Sequence, residues 1–403
     1  MATTSTVAPI NYRVPLLATA AIVLSSLIIG VLFSANIGLL MIVGGLLGMV
    51  LYHAAFGFTA AWRVFITERR GRGLRAQMVM LAIAVVLFFP ALGAGSLFGT
   101  EVRGFVSPIG ISVLVGAFIF GVGMQLGGGC ASGTLFTAGG GNARMLITLV
   151  FFIVGSVIGT AHFTWWQSLP AFQPVSLVNV AGVGGGIGIS LVLFAAIAAF
   201  TVIMEKRRHG HLEQAPMVDK PSTERWLSGP WPLVAGAVAL ALLNFATLAL
   251  AGRPWGITSA FALWGAKSFE LVGGDVSQWG YWQAPGNAAA LEASVWSDIT
   301  TVMNVGIMLG ALAAASLAGR FAPNFRIPLK SVLAAVIGGI MLGYGARLAF
   351  GCNIGAYFSG IASGSLHGWV WMVAAFAGNM AGVKLRPFFF DGEAGRRPVA
   401  KSC

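Results

Sequence analysis

The chain has 403 residues, 57% hydrophobic and only 9% charged, with a formal net charge of +12. Soluble domains carry about 25% charged residues, so a soluble fold is excluded. The apolar runs reach the roughly 20 residues that a membrane-spanning helix needs, whereas a barrel needs short alternating segments. The basic excess does not point to nucleic acid, because lysines and arginines collect in short loops beside apolar runs, as orientation signals do. The three cysteines, an odd number without close spacing, form neither a disulfide framework nor a zinc motif.

In chain order, a first apolar run at about 16–34 lacks a strongly basic leader and reads as an uncleaved span. A second covers about 37–55. Arg63, Arg69, Arg70, Arg72 and Arg75 then stand against Glu68, the strongest positive-inside signal in the chain. It predicts a cytoplasmic loop, and a cytoplasmic N-terminus two spans earlier. A third span at about 77–97 leads to a nearly neutral outer loop around Glu101 and Arg103. A fourth, at about 109–126, returns inward to the glycine-rich segment 127–141. That segment is too short to span and is expected to be too rich in glycine for a stable helix. A fifth span covers about 145–161. The uncharged stretch 162–178, with Trp165 and Trp166, reads as an outer loop in the interfacial belt.

A sixth span at about 185–204 ends in Lys206, Arg207 and Arg208, which mark the inside. The polar stretch 205–229 reads as a flexible cytoplasmic linker. A seventh span at about 232–251 precedes a short apolar segment, 255–267, that ends in Lys267. An outer loop holds Asp275, Glu292 and Asp298. An eighth span at about 300–317 leads inward to Arg320, Arg326 and Lys330. A ninth covers about 332–350 and a tenth about 367–383. Lys384, Arg386, Arg396, Arg397 and Lys401 put the C-terminus inside.

An internal repeat organises these spans. Gly121, Gly123, Leu126, Gly129, Cys130 and Gly133 are matched by Gly343, Gly345, Leu348, Gly351, Cys352 and Gly355 at a constant offset of 222 residues. A weaker echo relates Gly57-Phe-Thr-Ala-Ala-Trp62 to Gly256-Ile-Thr-Ser-Ala-Phe261. The division predicted is an extra N-terminal span (1–35), a first repeat (36–165), a linking span and linker (166–230), a second repeat (231–390) and a tail (391–403). One linking span is an odd number, so the second copy is inverted. The expected fold is therefore all-α: about ten transmembrane helices in two inverted repeats, with re-entrant segments. Inverted repeats recur in transporters, whose substrate sites lie where helices are interrupted near the midplane.

The chemistry on offer is sparse. No paired carboxylates, metal-ligand cluster or nucleophile elbow appears, and neither a cofactor nor an enzyme activity is expected. Gly121-Val-Gly123 has no surrounding βαβ unit for a dinucleotide. His209-Gly-His211 lies in a charged, solvated loop. A single buried cysteine is ordinarily a small hydrophobe, but Cys130 and Cys352 repeat within matched frames. Flanking Gly129 and Gly351 are expected to bring backbone close to a passing solute and leave the thiol exposed to it. A thiol is a weak donor with a polarisable surface, suited to a soft sulfur-containing anion. Arg347 lies five positions before Cys352, Arg144 follows the Cys130 segment, and Lys267 ends the short apolar segment 255–267. Ionisable residues at membrane depth are functional candidates; the alternative is snorkelling to the interface. Gly155 with Gly159, and Gly378 with Gly382, read as close helix packing.

Leu126-Gly-Gly-Gly-Cys130-Ala-Ser-Gly-Thr-Leu, Arg347-Leu-Ala-Phe-Gly-Cys352-Asn-Ile-Gly-Ala and Gly364-Ser-Leu-His-Gly-Trp369 resemble the YeeE/YedE family of bacterial inner-membrane transporters of thiosulfate and related sulfur compounds. The resemblance implies an hourglass of helices with helix–loop–helix elements. It implies cysteines along a central route, Cys130 and Cys352 among them, that pass the anion by transient hydrogen bonds. Some members carry a further cysteine where Gly57 stands here, a departure that leaves the particular sulfur compound open. The expected partners are a thiosulfate-like anion and the lipid bilayer, with a cytoplasmic sulfur-carrier protein as a candidate. Two other readings stand beside transport. A membrane-embedded sulfur-transfer enzyme would lack a general base near its thiols. An anchor for a soluble sulfur carrier would have only small loops to bind it.

Overall fold

The computed structural model describes residues 12–214 and 221–390, and it is almost wholly helical. The tail arginines Arg396 and Arg397, together with Lys401 and Cys403, lie outside the described residues. Among the described residues, nine helical stretches are long and apolar enough to cross a membrane. Helices α1 (Arg13–Leu32), α2 (Ala35–His53), α3 (Phe58–Glu68) and α4 (Arg72–Ala94) open the chain. They are followed by α5 (Ile111–Gly127), α6 (Ala131–Gly139), α7 (Ala143–Gln167), α8 (Leu177–His209), α9 (Ser222–Ser228) and α10 (Leu233–Ala251). The remainder is α11 (Thr258–Leu271), α12 (Gly280–Gln283), α13 (Pro285–Glu292), α14 (Ile299–Leu317), α15 (Leu329–Leu348), a π-helix (Asn353–Ser359), α16 (Gly360–Ala362) and α17 (Leu366–Phe389). The expected tenth span is α17; it is long enough, but polar His367 and Asn379 dilute its apolar character, and it is not among the nine.

Three expectations are corrected. Residues 131–139 are helical despite their glycines, because packing overrides propensity: Gly139 lies so close to Met308 that a Cβ there would meet its carbonyl, and the Thr134 hydroxyl donates to Cys130 O at 2.9 Å. The supposed outer loop 162–178 is partly helix, since α7 runs on to Gln167 and carries Trp165 and Trp166. The polar stretch 205–229 is partly structured, with its first residues finishing α8 and α9 forming further on.

Glycines set the helix contacts. Helix α7 packs on α15 and α17 on α5, while α5 and α15 pack on each other; α2 meets α14, and α4 meets α10. The same positions mediate the first two pairs. Gly155 approaches Ile340 O, and Gly378, at the matching site, approaches Phe118 O. Gly343 approaches Phe152 O as Gly121 approaches Ala375 O. At each of these sites a side chain would strike a backbone carbonyl, the close approach typical of small-residue packing in membranes.

One end of the bundle is basic. There Glu205, fully buried on α8, accepts from Arg75 Nη1 and the Glu213 amide at 2.7 Å each and from Gly71 N–H at 3.1 Å, with Arg70 at 3.7 Å. Helix α8 is otherwise largely exposed, with 17% of its apolar window buried. The Glu205 clamp, together with a 2.7 Å contact between His209 Nε2 and Glu68 O, fastens its end to the turn between α3 and α4.

Candidate functional site

Cys130 and Cys352 occupy the same local geometry. Each is in extended conformation immediately before a short helix, Cys130 before α6 and Cys352 before the π-helix. The first turn of any helix leaves N–H groups without intrahelical acceptors, at the positive end of the helix dipole. The N–H groups two and three residues on, those of Ser132 and Gly133 after Cys130 and of Ile354 and Gly355 after Cys352, belong to that first turn. Cys130 Sγ also lies 3.3 Å from Ser132 Oγ. Helix α6 packs against the π-helix, which brings the two cysteine-bearing segments together. Both cysteines are free.

The thiols are fully buried, not exposed as the flanking glycines led us to expect. The glycines serve the turn itself. A Cβ on Gly129 would lie 3.2 Å from Gly133 C, and one on Gly351 would lie 2.8 Å from the Ala356 nitrogen, with φ of +151°. They let the chain turn back into the helix that follows; they do not face an open passage.

Around the pair is a shell of aromatic rings. Trp371 stacks on Tyr357 at 6.4 Å, lies 5.4 Å from Phe120 and donates to Gly351 O at 3.2 Å. Polar side chains that the sequence reading did not single out sit among them. Asn353, next to Cys352, is fully buried, and neither of its amide atoms has a hydrogen-bond partner among the described residues. An orphaned buried amide costs about 1–3 kcal/mol, so a site that keeps one invites a ligand. Gln125 donates to Asn379 Oδ1 at 2.6 Å and to Thr59 O at 3.3 Å. The signal that could have found these residues was their rarity: lone amides in otherwise apolar helices.

The basic candidates separate. Arg347, the residue at the position matching Gln125, is 8% exposed, which excludes snorkelling. It donates to Tyr281 Oη at 2.7 Å and to Thr258 Oγ1 at 3.0 Å, and its Nε has no hydrogen-bond partner among the described residues. No carboxylate pairs with it among the described residues. Lys267, half-buried further along α11, donates to Leu291 O at 2.6 Å. Both lie at the end opposite the basic loops. Arg144 donates to Leu126 O at 2.6 Å and Arg386 to Gln125 O at 2.7 Å. These two cations therefore cap carbonyls at the end of α5, as cations favourably do. Two cavities open at the basic end, one of about 580 Å³ bordered by Arg144, Arg320 and Arg326, the other of about 170 Å³ bordered by Arg70, Arg72 and Gln77. The described residues hold no His/Cys/Asp/Glu group able to bind a metal.

Apolar helices around a buried pair of thiols and amides define a polytopic membrane protein with a polar, sulfur-bearing centre. Its family is the one described as sulphur transport, whose profile matches residues 53–381; the chain belongs to it. A probable transporter YedE of Escherichia coli (strain K12) is 34% identical over 168 residues, 41% of this chain and 40% of that protein. The chain thus spans about two fifths of the YedE relative's length. A thiosulfate transporter TsuA of Spirochaeta thermophila is 28% identical over 352 residues, 84% of this chain and 96% of that protein. The TsuA of Escherichia coli (strain K12) is 24% identical over 351 residues, 84% of this chain and 91% of that protein.

Proposed function

We propose that the protein carries a small sulfur-containing anion, thiosulfate, across the membrane along a route that passes Cys130 and Cys352. The observation that carries this reading is the pair itself: two buried thiols on segments packed together, each at the N-terminal, positive end of a short helix. N–H and S–H donors suit an oxyanion, and the polarisable sulfurs suit its terminal sulfur. Arg347 and Lys267 lie toward one mouth and the basic cavities toward the other, so the anion meets donors at each stage. The similarity to two proteins named thiosulfate transporters, over most of their length, supports the choice of substrate. Among the described residues no histidine or carboxylate is hydrogen-bonded to either thiol, Cys130 having only Ser132 beside it, which disfavours a covalent sulfur-transfer enzyme. The decisive measurement is uptake of labelled thiosulfate into vesicles containing this protein alone. Uptake above protein-free vesicles, competed by unlabelled thiosulfate, is expected; none would overturn the reading.

The proposal includes two inverted repeats in a bacterial inner membrane, with the basic end cytoplasmic. The matched glycine contacts of α7 with α15 and α17 with α5 support the repeat. So does the pairing of Gln125 with Thr59 and of Arg347 with Thr258. Reporter fusions at 63–75, at the 205–229 stretch and at the C-terminus are expected to report the cytoplasm, and a fusion at 168–176 the opposite side. A reporter at 205–229 that reads out on the far side would sink the inversion.

A further inference from the structure

The smaller cavity holds more than its arginines. Its wall includes Gly57, and its floor is Gln77, a residue 1% exposed. The Gln77 amide oxygen accepts from Trp62 Nε1 at 3.0 Å. An indole nitrogen only donates, so the carboxamide orientation follows from that bond. The same oxygen lies 3.5 Å from the Tyr357 hydroxyl, a long and weak contact by hydrogen-bond standards. Tyr357 is on the π-helix that starts after Cys352. One layer of side chains, Gln77 against Tyr357, therefore separates a cavity at the basic end from the segment carrying the second thiol. The Gln77 amide nitrogen has no hydrogen-bond partner among the described residues. On the cavity side, Arg70 is drawn to Glu205, while Arg72 has no ion-pair partner among the described residues. Glu213 also borders the cavity.

We infer that this cavity is a second anion site, and that the transported sulfur anion passes between it and the cysteine pair by parting Gln77 from Tyr357. The inference rests on the transporter reading above. The chemistry is that of an oxyanion held by N–H donors: the free Gln77 amide and the Arg72 guanidinium on the cavity side, the Tyr357 hydroxyl once released. Trp62 holds the Gln77 oxygen in place as the tyrosine leaves, so the amide nitrogen stays turned to the ion. A π-helix is a fitting support for the moving residue, because its wide turns are less regular than α-helix and concentrate at functional sites.

The test is concentration-dependent uptake of labelled thiosulfate by the purified protein in vesicles, with protection of Cys130 and Cys352 from a thiol reagent measured in parallel. Gln77→Glu puts a negative charge on the cavity floor. It is expected to lower the maximal rate about tenfold or more, the scale of one misplaced buried charge, while thiosulfate still protects both cysteines. Arg72→Glu, on the half-buried wall, is expected to slow uptake several-fold and flatten its salt dependence. It decides the matter alone if Gln77→Glu does not insert. Wild-type rates in the variants that insert, or loss of cysteine protection in Gln77→Glu, overturn the inference while transport stands. No uptake by the unmodified protein overturns the transporter reading and this inference together.

Discussion

Cys130→Ala and Cys352→Ala, singly and together, are expected to remove most uptake while leaving an inserted, folded protein. A hydrogen bond to a charged partner is worth about 1.5–3 kcal/mol, so each truncation should slow uptake roughly ten- to hundredfold. The fold should lose little, about 1 kcal/mol, since only a sulfur atom leaves a small void. Serine separates the mechanisms. At position 130 its hydroxyl keeps a donor beside Ser132, which lies 3.3 Å from the native sulfur. If conduction needs only a donor, Cys130→Ser and Cys352→Ser retain more uptake than the alanine variants. If a cysteine thiolate instead attacks the outer sulfur of thiosulfate, breaking its S–S bond and releasing sulfite, serine and alanine are equally inactive, and a persulfide accumulates on the unmodified protein. Normal uptake by the Cys130→Ala, Cys352→Ala double variant, at normal expression, would remove both residues from the route.

Arg347→Gln should lower uptake about tenfold, with a weaker dependence on salt. The guanidinium is buried and, among the described residues, has no carboxylate partner; it faces Tyr281 and Thr258, and its Nε has no hydrogen-bond partner among those residues. A buried cation so placed attracts anions far more strongly than one in water. Arg347→Lys keeps the charge but cannot reach both partners in fork geometry. It should recover part of the rate if attraction is the role. The half-buried Lys267, held by Leu291 O, should matter less. Unchanged rates across salt concentrations in Arg347→Gln would reduce the guanidinium to a tie between α15, α11 and the Tyr281 turn.

Much of this architecture is legible in the sequence. Bilayer thickness dictates apolar runs of a set length, and every expected span coincides with a helix to within a few residues at most ends. The basic residues that the sequence scatters over separate loops do meet in space, Arg144 with Arg320 and Arg326, and Arg70 with Arg75 at Glu205. The cysteine pair stood out because it repeats. Other features were hidden for physical reasons. The helix after Cys130 is stabilised by contacts with α14, which local propensity cannot register. Asn353 and Gln77 are single polar residues whose importance lies in what surrounds them: a missing partner in one case, a cavity and a tyrosine in the other. Arg347 was recognisable as a buried charge, but its partners come from residues 258 and 281, far away in the chain.

The reciprocal packing of α7 with α15 and α17 with α5 has a consequence for how the protein is made. Helix α7 begins at Ala143 and its main partner α15 at Leu329, 186 residues later. At a synthesis rate of about 5–20 residues per second, that is a wait of roughly 10–40 seconds. Throughout that time the glycine seam of α7 faces lipid or the insertion machinery, with nothing yet made to close it. The nascent first half is therefore a vulnerable intermediate that cannot mature on its own. Its survival depends on how fast the ribosome delivers the second half and on what shields the open seam until then.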